Sequence, residues 1–228
     1  MPSQKSPTVN ELRSERTRVR RKPSRGTYDF ETVARILDEG LYCHIGFSVD
    51  DQPYVVPTGY GREQRMLYIH GSSASRMLRT LAQGPRLCFT VTLVDGLVLA
   101  RSGMHHSMNY RSVVVLGTAE MVADADKEHA LRVITEHIVP GRWDEIRPPT
   151  PQELKATTVL QLPIEEASAK IRQGPPVDDE ADYALPCWAG ELPLALTPQP
   201  PIPDADLPAD VALPSYLATY RRPQATGA

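Results

Sequence analysis

Alternating apolar and polar positions dominate the first two thirds of the chain and predict mostly antiparallel β-structure. Short runs rich in β-branched and aromatic residues are separated by turns, such as Asp50–Pro53 and Gly61–Arg65, and this pattern is typical of strands joined in hairpins. The predicted strands are 41–49, 54–60, 66–70, 86–94, 97–101, 110–122 and 157–162. Because short turns join neighbouring strands, the pattern favours a barrel or sandwich over a parallel sheet.

Three segments repeat their apolar residues at spacings of three and four, which predicts helices at the joints between strands. Asp29 can cap the first helix and Gly40 can end it, and Asp124 or Asp126 can open the third. The predicted helices are 29–38, 75–83 and 124–138. Helices at the joints of an antiparallel sheet indicate a mainly β, α+β protein.

The composition changes after residue 174. Eleven of the 22 prolines lie in residues 174–228, and proline is excluded from helix interiors and central strands. Trp188, Leu192, Leu194 and Leu196 are too apolar for a typical solvated tail. We therefore interpret residues 174–228 as an extended strap docked on the body, with a disordered tail as the alternative.

The charge is unevenly distributed. Residues 1–25 contain eight Lys and Arg against two Glu, although the whole chain carries a net charge of −3. A basic arm can bind nucleic acid or anionic lipid, but it is more often a solvated tail, and no recognisable nucleic-acid-binding module accompanies it. The predicted organisation is an arm (1–25), one body (26–173) and the strap (174–228), without a nucleic-acid partner.

Length and composition are those of one soluble globular domain with extensions. The 228 residues are 41% hydrophobic and 23% charged, which is ordinary for a folded protein. No apolar run approaches the roughly 20 residues that span a bilayer, and no secretory signal follows the basic start. Cys43, Cys88 and Cys187 fit neither a disulfide framework nor a zinc motif. We expect a cytoplasmic protein without membrane contact.

Candidate chemistry concentrates in Tyr68–Arg76, where a strand ends, a Gly/Ser loop follows and a helix begins. Free backbone N–H groups at a helix start, serine hydroxyls and the Arg76 guanidinium together suit a phosphate dianion. The alternative is that Ser75 only caps the helix and Arg76 is solvated. The glycine-rich fingerprints GxGxxG and GxxxxGK[ST] are absent, which argues against Rossmann and P-loop sites.

Two histidine positions are candidates for further chemistry. His70 lies at the end of the strand before the Gly/Ser loop, where it either contributes to a site or is a histidine satisfied by backbone groups. His105 and His106 lie in a loop and suggest a metal or haem ligand. Neighbouring histidines point in different directions, and no carboxylate or cysteine pattern completes a set. The sequence therefore predicts no metal site.

Three ordered segments carry a resemblance to a known family. They are 53–60, 67–76 and 109–117, supported by 168–172 and 188–190. On these segments the chain resembles the flavin-binding relatives of pyridoxamine 5′-phosphate oxidase, in the branch that includes nitroimidazole-resistance proteins. The resemblance implies an antiparallel split β-barrel with flanking helices, and a homodimer that binds flavin mononucleotide (FMN) at its two-fold interface.

The resemblance also implies which residues contact the flavin. One strand lays its backbone along the isoalloxazine ring, the loop and helix start hold the phosphate, and a later strand reaches the partner's cofactor. Met77 stands where the oxidase has a lysine, so Arg79 would replace that cation. Trp188 could approach the ring from the strap. The implied residues are Val55, Val56, Pro57, Thr58, His70, Ser72, Ser75, Arg76, Arg79, Asn109, Tyr110, Arg111, Ser112 and Trp188.

The function that the resemblance implies is an FMN-dependent oxidoreductase of a small molecule, with nitro-compound reduction as one option. His70 is then the candidate catalytic residue and NAD(P)H the expected electron donor. The alternative is a non-catalytic protein that stores or senses flavin or haem. The chain ends Tyr220–Ala228 without the arginine- and histidine-bearing segment of the oxidase proper, so pyridoxamine-phosphate oxidation is not expected.

Overall fold

The computed structural model describes residues 11–222. The helices are α1 (Phe30–Glu39), α2 (Arg76–Leu81), α3 (Lys127–Ile138), α4 (Pro151–Ala156) and α5 (Ser215–Ala218). The strands are β1 (Gly26–Thr27), β2 (Tyr42–Val49), β3 (Gln52–Gly59), β4 (Gly61–Glu63), β5 (Met66–Ser72), β6 (Arg86–Leu99), β7 (Ser107–Thr118), β8 (Glu120–Met121), β9 (Thr157–Pro163), β10 (Glu166–Arg172) and β11 (Gly190–Pro193).

The strands form two antiparallel sheets rather than one closed barrel. The larger sheet has the order β1-β10-β7-β6-β2-β3, with β11 added to the far end of β6, and the smaller has the order β4-β5-β9-β8. Every strand pair within residues 11–222 is antiparallel. The predicted mainly β, antiparallel split-barrel architecture with flanking helices is confirmed.

The core lies between the two sheets and is closed by α1. Along β2 the side chains of Cys43, Ile45 and Phe47 alternate inward, as the two-residue period of a strand requires. The inward face of α1 is apolar, and Asp29 caps the helix by accepting a 2.9 Å hydrogen bond from the Thr32 N–H. Each fully buried apolar side chain stabilises the fold by about 1.5–3 kcal/mol.

The β2–β3 hairpin confirms the turn predicted around Asp50. Val49 pairs with Gln52, so Asp50 and Asp51 are the two turn residues, and both have positive φ (49° and 62°). This is the turn geometry that matches the twist of a tight hairpin, and aspartate tolerates it better than most residues. The turn fixes the register of β3.

The structure differs from the predicted strands around Gly96. Residues 86–99 form one strand with a register shift between Val94 and Gly96, not two strands joined by a turn. The glycine is needed because a Cβ there would lie 3.0 Å from the Leu192 carbonyl oxygen of β11. The sequence analysis also missed β10, and its predicted strand 110–122 is β7, which ends at Thr118.

The described part of the basic arm, residues 11–25, lies on the body rather than in solvent. Leu12 is 1% exposed, and its carbonyl accepts a 3.0 Å hydrogen bond from Ala167 N of β10. Arg16 forms a 2.5 Å ion pair with Glu166. The interpretation of this segment as a solvated tail is therefore wrong, because one buried leucine and a backbone bond attach it to the sheet.

The strap is extended and docked, as interpreted from its sequence. Within residues 174–222 it contributes β11 and the short helix α5, and its buried Asp178 binds Arg101. Near its end, Arg222 donates to backbone carbonyls at the ends of α1 and α3. Many of its apolar side chains nevertheless face outward: Trp188, Leu192, Leu194, Leu196, Ile202, Leu207, Val211 and Leu213.

No helix within residues 11–222 has both the length and the apolar character required to cross a membrane.

Candidate functional site

The edge strand β3 supplies one wall of the candidate site. It pairs with β2 along its whole length, and no strand within residues 11–222 pairs with its other edge. Pro53 and Pro57 occur in this strand, and proline is tolerated there because it removes a donor that an edge does not use. Val55 is 67% exposed. The open edge therefore presents backbone groups and the exposed Val55 side chain, within the segment 55–58 that was predicted to contact the flavin ring.

The Gly/Ser loop and the start of α2 supply the second wall. Ser75 caps α2, with its Oγ 3.5 Å from Leu78 N, and the Ser72 Oγ accepts a 3.2 Å hydrogen bond from Ala74 N. The backbone N–H groups of Arg76 and Met77 lie in the first helical turn, where no carbonyl of the helix can reach them. We call residues 71–75 the phosphate loop.

Arg76 joins the two walls. Its guanidinium carbon lies 4.3 Å from the centre of the Tyr54 ring, so a cation–π contact holds the start of α2 against β3. Tyr54 in turn stacks on Phe47, with ring centres 5.6 Å apart. The structure thus brings the two segments predicted from sequence, 55–58 and 70–76, to one place. Sequence reasoning did not identify Tyr54 as the link, because the contact depends on how two separate sheets pack.

The cations at this site are available to a ligand. Neither Arg76 nor Arg79 forms an ion pair within residues 11–222, and both side chains are exposed. Arg79 lies one turn beyond the start of α2. Two exposed guanidinium groups beside a helix start can bind phosphate oxygens, as the sequence analysis predicted.

His70 lies on β5, opposite Val159 of β9, immediately before the phosphate loop. Its side chain reaches the surface, but desolvation by neighbouring protein atoms lowers its pKa below the ordinary value. This shift favours the neutral imidazole, whose free nitrogen can accept a proton. This position fits a functional histidine.

The side of the larger sheet that faces away from the core is a half-apolar surface, which we call the outer face. Strand alternation and register place one set of side chains on it, and several of these are widely exposed. They are Tyr42, His44, Val55, Pro57, Thr90, Val94, Tyr110 and Ser112. Tyr110 and Ser112, predicted to reach a partner's cofactor, therefore share a surface with β3.

The side chains of Asn109 and Arg111 bind other residues of their own chain. Arg111 binds Asp95 at 2.6 Å and also pairs with Glu39, and these hydrogen-bonded carboxylates raise its pKa. Asn109 is buried, donates to Glu191 of the strap at 2.5 Å and accepts from Arg172. The sequence-predicted strand 109–112 thus divides by alternation into two outward residues and two structural ones.

Trp188 lies far from β3 within one chain. It precedes β11, whose Gly190 pairs with Leu99, whereas β2 pairs with β6 at Cys88–Thr90. Nine residues of strand separate Thr90 from Leu99, about 30 Å. The indole is 69% exposed and packs on Gly190. A flavin contact by Trp188 would have to be made to another subunit's site.

Comparison with known proteins identifies the family. The family profile described as pyridoxamine 5′-phosphate oxidase matches residues 29–171. The chain belongs to this family. No curated protein sequence matches it.

Two solved structures of family relatives are similar over nearly their whole length. The flavocytochrome Anf3 from Azotobacter vinelandii is 43% identical, with a TM-score of 0.86, over 91% of this chain and 97% of that one. The FAD and heme binding protein from Mycobacterium smegmatis is 36% identical, with a TM-score of 0.83, over 85% of this chain and 96% of that one. Both relatives are named for a flavin together with haem.

A candidate 5-nitroimidazole antibiotic resistance protein from Bacteroides thetaiotaomicron is also similar. It is 23% identical, with a TM-score of 0.53, over 63% of this chain and 84% of that one. At this level of identity the likeness concerns the fold alone. The resemblance stated from sequence is confirmed for the family by the profile match, and this neighbour shares the fold.

Proposed function

We propose that this family member is a flavocytochrome-like electron-transfer protein that binds a flavin nucleotide and haem. The observation that supports the flavin site is the contact of Arg76 with Tyr54, which holds the start of α2, and with it the loop 71–75, against the open edge strand β3. The relatives that are 43% and 36% identical, named as a flavocytochrome and as an FAD and heme binding protein, support the pairing of the two groups.

The residues at the two walls fit a flavin. The N–H groups of Arg76 and Met77 at the start of α2 would bind the phosphate together with the guanidinium groups of Arg76 and Arg79. The N–H groups of Ser73, Ala74 and Ser75 already bond within the chain. The open edge of β3, at Val55–Thr58, would hydrogen-bond the heteroatoms of the ring and cover one of its faces. Bound there, a flavin supplies one- and two-electron transfer, while the protein fixes the ring and limits water access.

The nucleotide we propose is FAD. The sequence resemblance implied FMN, for which one phosphate cradle is sufficient. The relative from Mycobacterium smegmatis, similar over 85% of this chain, is named for FAD, and the exposed position of the phosphate loop leaves room for a nucleotide to extend past it. Heating the purified protein and separating the released flavin by chromatography distinguishes the two forms.

Haem fits the protein through its apolar outer face and a histidine on that face. Tyr42, Val55 and Val94 are large apolar side chains that remain exposed there, and a haem requires such a surface together with a protein ligand for its iron. We propose His44 as that ligand, because its exposed imidazole lies on the same face, with its ring centre 5.5 Å from that of Tyr42. His70, on β5 of the smaller sheet, is the competing histidine.

A homodimer is part of the proposal. Two exposed apolar regions support it, namely the leucines and Trp188 on the strap and the apolar outer face. Pairing two outer faces would bring Tyr110 and Ser112 of one subunit towards the β3 edge of the other.

An absorption spectrum of the purified protein tests the function directly. We expect flavin bands near 450 nm together with a haem Soret band, in roughly equal stoichiometry after reconstitution with both groups. His44→Ala should remove the Soret band and keep the flavin bands, whereas His70→Ala should keep the Soret band. Loss of the Soret band in His70→Ala alone would transfer the ligand role to His70. A protein that binds neither group after reconstitution would refute the proposed function.

A further inference from the structure

A separate cluster of titratable side chains lies at the far end of β6 from β3. It joins the loop between β6 and β7, through His105, to the strap, through Asp178 and Asp182. One potential ligand atom from each of the three residues lies within 4.8 Å of the other two. The sequence analysis found no partner for His105, because its two carboxylates are more than seventy residues away in the chain.

His105 has a ring nitrogen that is not satisfied. Its Nδ1 is buried and has no hydrogen-bond partner among the described residues, and it lies 3.7 Å from the Asp178 carboxylate. A buried polar atom without a partner is uncommon and unfavourable in a folded protein. The neighbouring His106 differs, because its Nδ1 is 2.8 Å from the Ser102 carbonyl and its ring is exposed.

The charges around this nitrogen favour a cation. The Asp178 side chain is 0% exposed and binds the backbone N–H and the guanidinium of Arg101, at 2.9 Å and 3.0 Å. That single arginine compensates one carboxylate only. Asp182 is the second carboxylate at the cluster, and Asp179 and Glu180 lie in the same segment of the strap. The acidic side chains of the strap segment 178–182 therefore outnumber the one arginine that pairs with them, Arg101.

We propose that His105, Asp178 and Asp182 bind a divalent transition-metal ion of the zinc type. One imidazole nitrogen and two carboxylate oxygens form a mixed N/O ligand set that Zn²⁺ accepts, with a water in the fourth position. Donors about 2.1 Å from a tetrahedral ion lie about 3.4 Å apart, close to the 3.7 Å between His105 and Asp178. Asp178 can ligate while paired with Arg101, because a carboxylate has about four lone-pair sites.

The ion would fasten the strap to the β6–β7 loop. The segment 178–182 is followed by β11, which lies on β6, and the loop 100–106 leads into β7. A metal that binds only the folded arrangement stabilises it. Removal of the ion should therefore release the strap first, while the two sheets keep their core.

Zinc titration of the full-length protein tests the site. All variants carry Cys187→Ser, because this exposed thiol lies beside Arg101 and could bind zinc by itself. We expect one Zn²⁺ per chain by calorimetry, at least tenfold weaker binding in His105→Ala and in Asp182→Asn, and unchanged binding in the matched control His106→Ala. Asp182→Asn leaves the Arg101–Asp178 pair intact, so it is informative even if His105→Ala folds poorly.

A second measurement follows the strap itself. Zinc should slow proteolysis within residues 174–190 at least threefold in the control protein, and not in His105→Ala or Asp182→Asn. Equal zinc affinity in His105→Ala and His106→Ala would overturn the proposal, as would a nuclear magnetic resonance titration in which His105 binds a proton but not zinc. The flavin and haem spectra of the same samples are recorded separately, so failure of this site and failure of the proposed function are distinguishable.

Discussion

Arg76 connects the phosphate loop to β3, and its substitution tests the flavin site. Charge-assisted hydrogen bonds contribute about 1.5–3 kcal/mol each, so Arg76→Ala should weaken binding of the flavin nucleotide by roughly ten- to a hundredfold. Arg79→Ala should cause a smaller loss, because Arg79 lies one turn further from the loop. Fluorescence titration of the apoprotein measures both.

Riboflavin provides the control for this substitution, because it has no phosphate. It should bind the wild-type protein weakly and be nearly indifferent to Arg76→Ala, whereas a general loss of folding would weaken both ligands. A folded Arg76→Ala protein with wild-type affinity for the nucleotide would place the phosphate elsewhere.

His137 is a buried histidine whose protonation should destabilise the protein. Burial lowers its pKa to about 4, with Arg222 and Arg62 adding to the effect, although its Nε2 is 2.8 Å from the Gly40 carbonyl and Asp38 opposes the shift. Below about pH 6.5 the His137 imidazole binds a proton in the unfolded chain but not in the folded protein. Stability is therefore lost as the pH falls from about 6.5 to about 4, by roughly 1.4 kcal/mol per pH unit and about 3 kcal/mol in total.

Urea unfolding at several pH values between 7 and 4 measures this loss. The variant His137→Gln can keep the hydrogen bond to Gly40 but cannot titrate. Between about pH 6.5 and about pH 4 its free energy of unfolding should therefore fall by about 3 kcal/mol less than that of the wild-type protein. An identical pH dependence in the two proteins would show that other groups are responsible.

At the scale of elements, the end of the strap is attached to two helix C-termini. Arg222 donates to the carbonyls of Asp38, Glu39 and Gly40 at the end of α1 and of His137 in α3. These are carbonyls that helix geometry leaves without an internal partner, and a cation there also interacts favourably with the helix dipoles. The arginine thus acts as a shared C-terminal cap for two helices.

Arg222→Ala should therefore lower the free energy of unfolding by about 1–3 kcal/mol. The matched control is Arg221→Ala, because Arg221 is exposed and, among residues 11–222, its side chain donates only to the adjacent Tyr220 carbonyl. The change should therefore be within about 0.5 kcal/mol. Chemical denaturation of the two variants under the same conditions measures the difference in their free energies of unfolding. Equal values would mean that the cap contributes nothing.

At the scale of the whole molecule, the proposed flavin site depends on assembly. If Tyr110 and Ser112 of one subunit complete the site of the other, diluting the protein to monomers should release flavin, with a rise in flavin fluorescence that follows the sedimentation change. The physical reason is mass action: a ligand held by two subunits favours their association. A monomer that keeps its flavin at full affinity would contradict the shared site.

The local patterns made the elements of this fold largely predictable. The alternation in β2, the cap at Asp29 and the hairpin turn at Asp50 appear in the structure as expected, because each depends on residues within a few positions of one another. The sequence did not reveal β10. Residues 166–172, Glu-Ala-Ser-Ala-Lys-Ile-Arg, have weak β-propensity and are strand only because β7 and β1 pair with both of their edges.

The candidate site was predicted only in part, because the local order of residues reveals some of its members and not others. Ser75 and Arg76 were identified because a strand, a small-residue loop and a helix start follow one another in the chain. The different roles of Tyr110 and Arg111 were not identified from the sequence. They depend on which side of β7 each residue faces, and Arg111 also pairs with Glu39 and Asp95, which belong to other elements. The family resemblance supplied the candidate residues 109–112, and the alternation of side chains along β7 separates them into two that face outward and two that are structural.

The sequence by itself determined the mainly antiparallel class, the strand–loop–helix order of residues 66–81 and the family, since these are encoded in local pattern or in ordered motifs. Only the tertiary structure decided that Tyr54 lies under Arg76, that the arm is held by Leu12, and that His105 lies beside two carboxylates of the strap. Such contacts join residues far apart in the chain. Their geometry follows from the packing of whole sheets and the path of the strap, which no local pattern encodes.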